Sequence, residues 1–265
     1  MSELITVQRE EHIAFVSVSQ TMPPAFFDKL GEVFRELARD NTLRAVVVEG
    51  AGKGFSYGLD LAATFQEVGE LFSAAGATQR TELLALIRRW QAALNAVAEC
   101  PVPVIAAIHG WCIGGGLDLI SACDIRLCTQ DARFSLRETK VAIVADLGSL
   151  QRLPAIIGAG NLRELAFTGK DIDASRAQQM GLVNTLHPTR DELRQVARQM
   201  ARDIAQNPPL TVRGVKDVLH YGEGKSIAEG LAYVAAWNSA FLASEDLAEA
   251  ASAFAERRAP SFKGR

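Results

Sequence analysis

Three acids and two glycine-rich loops hold most of the chemistry this chain can offer. Asp118, Glu138 and Asp146 follow one another at separations of 20 and 8 residues. Asp118 interrupts the apolar run Leu117-Asp-Leu-Ile120, where a carboxylate is costly to bury unless it is paired or used. Glu138 lies in the polar stretch Arg137-Glu-Thr-Lys140, and a solvated loop acid is its plain alternative. Asp146 interrupts Val141-Ala-Ile-Val-Ala-Asp-Leu-Gly148; its alternative is the N-cap of a helix beginning at Leu147. Carboxyl groups do general acid–base work best when burial raises their pKa, so the three acids point to proton transfer.

The loops are Gly54-Phe-Ser-Tyr-Gly-Leu-Asp60 and Gly110-Trp-Cys-Ile-Gly-Gly-Gly-Leu-Asp118, each following a buried strand. Three adjacent glycines at a helix start carry no Cβ atoms, so a ligand can approach the backbone there. The free N–H groups and the helix dipole favour an oxygen bearing negative charge. One N–H from each loop, aimed at the same carbonyl oxygen, makes an oxyanion hole. Gly114 to Gly116 are equally compatible with tight helix–strand packing. Neither loop fits a nucleotide-binding pattern, since no Gly-x-Gly-x-x-Gly or Gly-Lys-Ser/Thr occurs in them.

Other reactive residue types fit worse. His12, His109, His187 and His220 are scattered without metal-ligand spacing, and His109 reads as structural. Ser56 and Ser121 lack the Gly-x-Ser-x-Gly elbow of a serine hydrolase. Cys100, Cys112, Cys123 and Cys128 stand among apolar or small residues and read as buried reduced thiols.

The elements that must position these groups follow from periodicity. Ile5 and Val7, then Ile13, Phe15, Val16 and Val18, alternate as two strands joined near Arg9-Glu10-Glu11. Phe26, Phe27, Leu30, Val33, Phe34 and Leu37 recur at helical spacing after Pro23-Pro24, which predicts a helix to about Arg39. Residues 45–48 and 102–108 read as buried strands, 125–128 and 133–135 as short ones. Residues 109–115 read as a turn and Gly116 as the opening of a helix. A helical region over 62–98 is broken near Ser73-Ala74-Ala75-Gly76. From Asn207 onward the pattern is all helix, over 210–219, 226–242 and 244–256. Strands interleaved with helices imply an α/β core over residues 1–206, and 207–265 form a helical appendage that packs on the core or on another subunit.

Composition bounds the function. The chain has 265 residues, 48% hydrophobic and 22% charged, with a net charge of -3. That is the balance of an ordinary globular protein, not of a disordered tail, a collagen-like fibre or a disulfide scaffold. A slightly acidic chain without a basic stripe argues against nucleic acid as a partner. No run of about 18 apolar residues suggests a membrane span. Residues 1–10 do not resemble a secretory signal, and the last residues are not a Ser-Lys-Leu address, so a cytoplasmic location is the expectation.

Several segments together resemble the crotonase, or enoyl-CoA hydratase/isomerase, superfamily. They are Gly50-Ala-Gly-Lys-Gly-Phe-Ser-Tyr-Gly-Leu-Asp-Leu61, Cys100-Pro-Val-Pro-Val-Ile-Ala-Ala-Ile-His-Gly110, Ile113-Gly-Gly-Gly-Leu-Asp118, Ala122-Cys-Asp-Ile-Arg126 and Gln151-Arg-Leu-Pro154. The resemblance implies an α/β spiral of ββα turns with a C-terminal helical trimerisation region, assembled as a trimer or a dimer of trimers. It implies an acyl-CoA thioester as substrate, its oxygen held by the N–H groups of Leu59 and Gly115, with Tyr57, Gly58, Leu59, Asp60, Leu61 and Gly115 lining the site. Asp118, Glu138 and Asp146, with Ala145-Asp-Leu-Gly-Ser-Leu-Gln-Arg-Leu-Pro154, are most similar to the Δ3,5-Δ2,4-dienoyl-CoA isomerase branch of fatty acid β-oxidation. That branch usually has an acid and a glycine near Lys140 and Ala142, where this chain departs from it.

The resemblance implies that Glu138 takes a proton from carbon 2 of a 3,5-dienoyl-CoA and protonated Asp146 returns one at carbon 6, with Asp118 tuning the pair. No metal, nucleotide or flavin cofactor is expected; coenzyme A belongs to the substrate. The second reading is an enoyl-CoA hydratase, a lyase, with Asp118 and Glu138 activating water. A third is a non-catalytic paralogue that binds CoA esters or RNA.

Overall fold

The computed structural model describes residues 3–73 and 76–265. Strands β1 (Ile5–Glu10) and β2 (Ile13–Val18) form an antiparallel hairpin at the edge of the larger sheet. Glu11 takes the left-handed conformation (φ 51°) in the turn between them. Helix α1 (Pro24–Arg39) starts with proline in its first turn, where a missing N–H costs nothing, and buries Phe26, Phe27, Leu30, Val33, Phe34 and Leu37. Strand β3 (Ala45–Gly50), helix α2 (Leu61–Ser73) and helix α3 (Ala77–Ala98) follow. The expected break between Ser73 and Gly76 separates α2 from α3; Ala74 and Ala75 lie outside the described residues.

Next come β4 (Val104–Ile108), β5 (Trp111–Ile113), helix α4 (Gly115–Ser121), β6 (Ile125–Thr129) and β7 (Arg133–Ser135). A single 3-10 turn covers Glu138–Val141. Helix α5 (Ser149–Thr168) bends at Gly158 and leads to β8 (Asp171–Asp173), α6 (Ala174–Gln179), β9 (Thr185–His187) and α7 (Arg190–Ala205). Helices α8 (Pro209–Gly222), α9 (Ile227–Phe241) and α10 (Glu245–Glu256) complete the chain, within a residue or a few of their expected limits.

The larger sheet has the order β1-β2-β3-β4-β6-β9, parallel from β2 onward. The smaller one, β5-β7-β8, carries a parallel and an antiparallel pair. Alternation along β3 and β4 divides the interior into two cores, as a period of two requires. Val46, Val48, Val104, Ala106 and Ile108 face α1, α3 and α4, where Phe27 stacks on Trp90 at 4.7 Å. Ala45, Val47, Ile105 and Ala107 face α7 through Leu193, Ala197, Ala201 and Ala205.

Residues 109–115 are not merely a turn, because Trp111–Ile113 pair with β7 as a strand of the second sheet. That pairing carries the chain from the end of β4 to the start of α4 in a fixed direction. The four cysteines are buried and free, as expected. Among the described residues no helix is long and apolar enough to cross a membrane.

Candidate active site

The two glycine loops meet because the backbone stitches them together. Leaving β3, the chain donates Phe55 N–H to His109 O and Ser56 N–H to Trp111 O, and Ile113 N–H donates back to Ser56 O. Ser56 and Cys112 thus form a parallel bridge, and a second bridge joins Met22 to Leu59. Gly58 takes φ +80°, and a side chain there would strike Ile113 O at 2.7 Å and Gly115 N at 3.2 Å. Its N–H is fixed by Ser56 Oγ at 3.0 Å, a positioning role for a serine that no hydrolase pattern points to.

Leu59 N lies 3.8 Å from where a Cβ on Gly115 would stand, so the two amides border one small space. Gly115 is the first residue of α4, and a first-turn N–H has no acceptor inside its own helix. In the Met22 bridge the donors are Met22 N–H and Asp60 N–H, which leaves Leu59 N–H out of the pairing. Among the described residues neither N–H finds a protein acceptor. Two unspent donors bordering one space are what an oxyanion hole needs. The packing alternative applies to Gly116 instead, where a Cβ would meet Ser56 Cβ at 3.1 Å and Cys112 Sγ at 3.3 Å.

All three acids converge on the same space. A cavity of 340 Å³ is lined by Tyr57, Gly58, Leu59, Leu61, Gly115, Asp118, Glu138 and Asp146, with Val141, Ile143 and Leu147 supplying apolar wall. Asp60 is the one expected lining residue outside that wall; its Oδ1 accepts the Ala63 N–H at 3.0 Å and holds the first turn of α2.

Asp118 is 2% exposed. Its Oδ1 accepts the Ser149 N–H at 2.7 Å, so the carboxylate sits at the positive end of α5. Burial outweighs that support and raises its pKa to about 6. Glu138 is not a solvated loop acid. The 3-10 turn directs its carboxyl into the cavity, Oε2 is buried without a partner, and burial with the nearby Asp118 charge lifts its pKa to about 7. A side chain on Gly114 (φ +52°) would approach Glu138 Oε1 to 3.2 Å, so that glycine leaves room for the acid.

Asp146 is not a helix cap either. Helix α5 begins at Ser149 with Gly148 in the cap position, and Asp118 reaches the first N–H instead. Gln91 of α3 donates to the Asp146 carbonyl at 2.6 Å, and partial burial raises the Asp146 pKa.

Several contributors had no motif to give them away. Met22 packs its Sδ against Gly115, Gln91 holds the loop of Asp146, and Arg137 lines the cavity beside Glu138. His109 is structural as expected, with Nε2 2.9 Å from Gly52 O. Lys140 does not line the cavity but lies over Gly169, and Ala142 holds the left-handed conformation (φ 59°).

Comparison with known proteins agrees with this geometry. Residues 9–265 match the family model described as Enoyl-CoA hydratase/isomerase. The chain is 46% identical over 243 residues to a mitochondrial Delta(3,5)-Delta(2,4)-dienoyl-CoA isomerase of Dictyostelium discoideum, covering 92% of this chain and 83% of that protein. It is 41% identical to a peroxisomal protein of the same name from Arabidopsis thaliana, over 97% of this chain and 91% of that one. The crystal structure of an enoyl-CoA hydratase from Bacillus anthracis superposes with a TM-score of 0.88 at 30% identity, covering 99% of this chain and 100% of that one. A matched pair of unspent amides beside three convergent acids, on this fold and with these relatives, makes the chain an enzyme of the enoyl-CoA hydratase/isomerase family.

Proposed function

We propose that this enzyme converts 3,5-dienoyl-CoA to 2,4-dienoyl-CoA by moving protons across a stabilised dienolate. The observation that carries the reading is the cavity wall, which holds both free amides and all three acids. The thioester oxygen accepts from Leu59 and Gly115 N–H. Negative charge grows on that oxygen as carbon 2 loses its proton, so the amides bind the transition state better than the substrate. Glu138 takes the carbon 2 proton, the electron pairs shift along the conjugated system, and protonated Asp146 supplies a proton at carbon 6. Atoms and charge balance without any redox change, and the chemistry requires no cofactor beyond the coenzyme A of the substrate.

Glu138, lifted to about 7, can take up a proton near neutral pH, and burial raises Asp146 in the same direction. Asp118 supports the relay as a nearby charge that keeps Glu138 high. Val141, Ile143 and Leu61 receive the acyl chain, which covers the half-buried Asp146 on binding and favours its protonated form.

Helices α8, α9 and α10, residues 207–265, are proposed as the oligomerisation region of a trimer or dimer of trimers. The cytoplasm stands as the proposed compartment, although relatives carry mitochondrial and peroxisomal names. The test is a panel of enoyl and dienoyl thioesters followed by ultraviolet absorbance. Fast appearance of the 2,4-diene, with slow hydration of 2-enoyl-CoA, is the expected outcome. Brisk hydration without diene formation would favour the hydratase reading instead.

A further inference from the structure

We propose that Asp171 is a positioning residue for Glu138: it clamps the Arg137 guanidinium against β8 and so keeps a cation off the adjacent catalytic carboxyl. The proposal rests on Glu138 being the proton-transferring group described above. Arg137 precedes Glu138 in the chain and borders the same cavity. Its Nη2 donates to Asp171 Oδ1 at 2.7 Å and Oδ2 at 2.8 Å, and its Nε donates to Oδ1 at 3.1 Å. Nε also reaches Ser135 Oγ at 3.2 Å, and the guanidinium lies 5.4 Å from the Trp111 ring centre. A planar fork held at this many points is pinned in direction as well as place.

The need for a clamp follows from what faces Glu138. Asp118 of α4 and Asp146 before α5 are the charged groups that raise it, and both are acids. Its buried Oε2 has no partner among the described residues. An arginine free to turn would meet this unpaired carboxyl and form an ion pair. Such a pair holds a carboxylate ionised and spends its lone pairs, so it could neither keep nor pass a proton near neutral pH. Lys140, two residues beyond Glu138, also points elsewhere: its stem lies over Gly169. Asp171 thus holds Arg137 by direct contact, while Lys140 lies away from the cavity. The Arg137–Asp171 pair is itself well exposed, so its loss costs little stability and the variants should fold.

The experiment is a titration of Glu138 by 13C NMR in protein labelled at the glutamate carboxyl, with Glu138→Gln assigning the signal. In the unaltered chain the midpoint lies at about 7. In Asp171→Asn it falls by about one pH unit or more, the effect of an opposite charge at contact range. The alkaline limb of kcat/KM for dienoyl thioester falls with it. Adding Arg137→Gln to Asp171→Asn removes the cation and restores the midpoint. An unmoved midpoint in Asp171→Asn, or one that stays low in the double variant, overturns the clamp. A midpoint that moves in a chain without isomerase turnover supports the clamp and overturns the functional reading instead.

Discussion

Glu138 shows how much of a residue's chemistry is set by what surrounds it rather than by its own neighbours in sequence. It lies among Arg137, Thr139 and Lys140, a setting that suggests a solvated acid, yet the 3-10 turn buries its carboxyl beside Asp118. With Glu138 at about 7 and Asp146 raised from its ordinary value, the proposed relay requires the pair to hold one proton. The sign follows from that count. As pH rises through about 7 the last proton leaves and kcat/KM falls; well below, a second proton occupies the base and kcat/KM falls again. A bell-shaped profile with its alkaline limb near 7 is the expected result, and a profile flat from pH 5 to 9 contradicts it. Asp118 was legible because an acid in Leu117-Asp-Leu-Ile120 has no cheap place in a core. Asp171 and Gln91 were not, since ordinary polar residues act here only through distant partners.

At the scale of elements, the site is a junction of two strand-to-helix passages held in register by the Ser56–Cys112 and Met22–Leu59 bridges. The glycines announced both passages, because close backbone approach leaves a mark in composition. Strand β5 left none, being three residues between Gly110 and Gly114, both in left-handed conformations. Helix α7 differs, since its pattern is carried by the sequence. Its buried residues Leu193, Ala197, Ala201 and Ala205 recur every four positions among charged ones, with Val196, Met200 and Ile204 beside them, so this helix is amphipathic. Gly114→Ala tests the junction, since it places a methyl in a left-handed position 3.2 Å from Glu138 Oε1. Folding stability should fall by roughly 1–2 kcal/mol. Activity should fall more, about 100-fold in kcat, because displaced reacting groups cost rate steeply. Thermal unfolding beside steady-state kinetics separates the two effects; equal activity in both chains would place Glu138 outside the chemistry.

At the scale of the whole molecule, the last sixty residues present apolar surface that the chain does not cover. Leu219, Ile227, Leu231 and Phe254 stand exposed on α8, α9 and α10, and Phe254 is 88% exposed. The tail beyond α10 is pinned back on that helix, with Asp246 accepting the N–H groups of Lys263 and Gly264. Large apolar side chains left this exposed on successive helices are a mark of an association face. Sedimentation equilibrium should give a mass of three or six chains, and Ile227→Asp should shift it toward one. A monomer at micromolar concentration in the unaltered chain contradicts the assembly. The helices themselves were legible from their spacing, whereas the faces left uncovered depend on packing that periodicity does not describe.

The proposed relay requires Asp146 to pass a proton at the far end of the conjugated system. The most direct measurement mixes 3,5-octadienoyl-CoA with the unaltered enzyme and with Asp146→Asn, following the absorbance of the 2,4-diene while thioester binding is measured separately. The amide keeps the shape but cannot exchange the proton, so binding should persist and diene formation should drop by about 100-fold or more, the scale of lost general acid–base catalysis. Undiminished diene formation by Asp146→Asn would contradict the account.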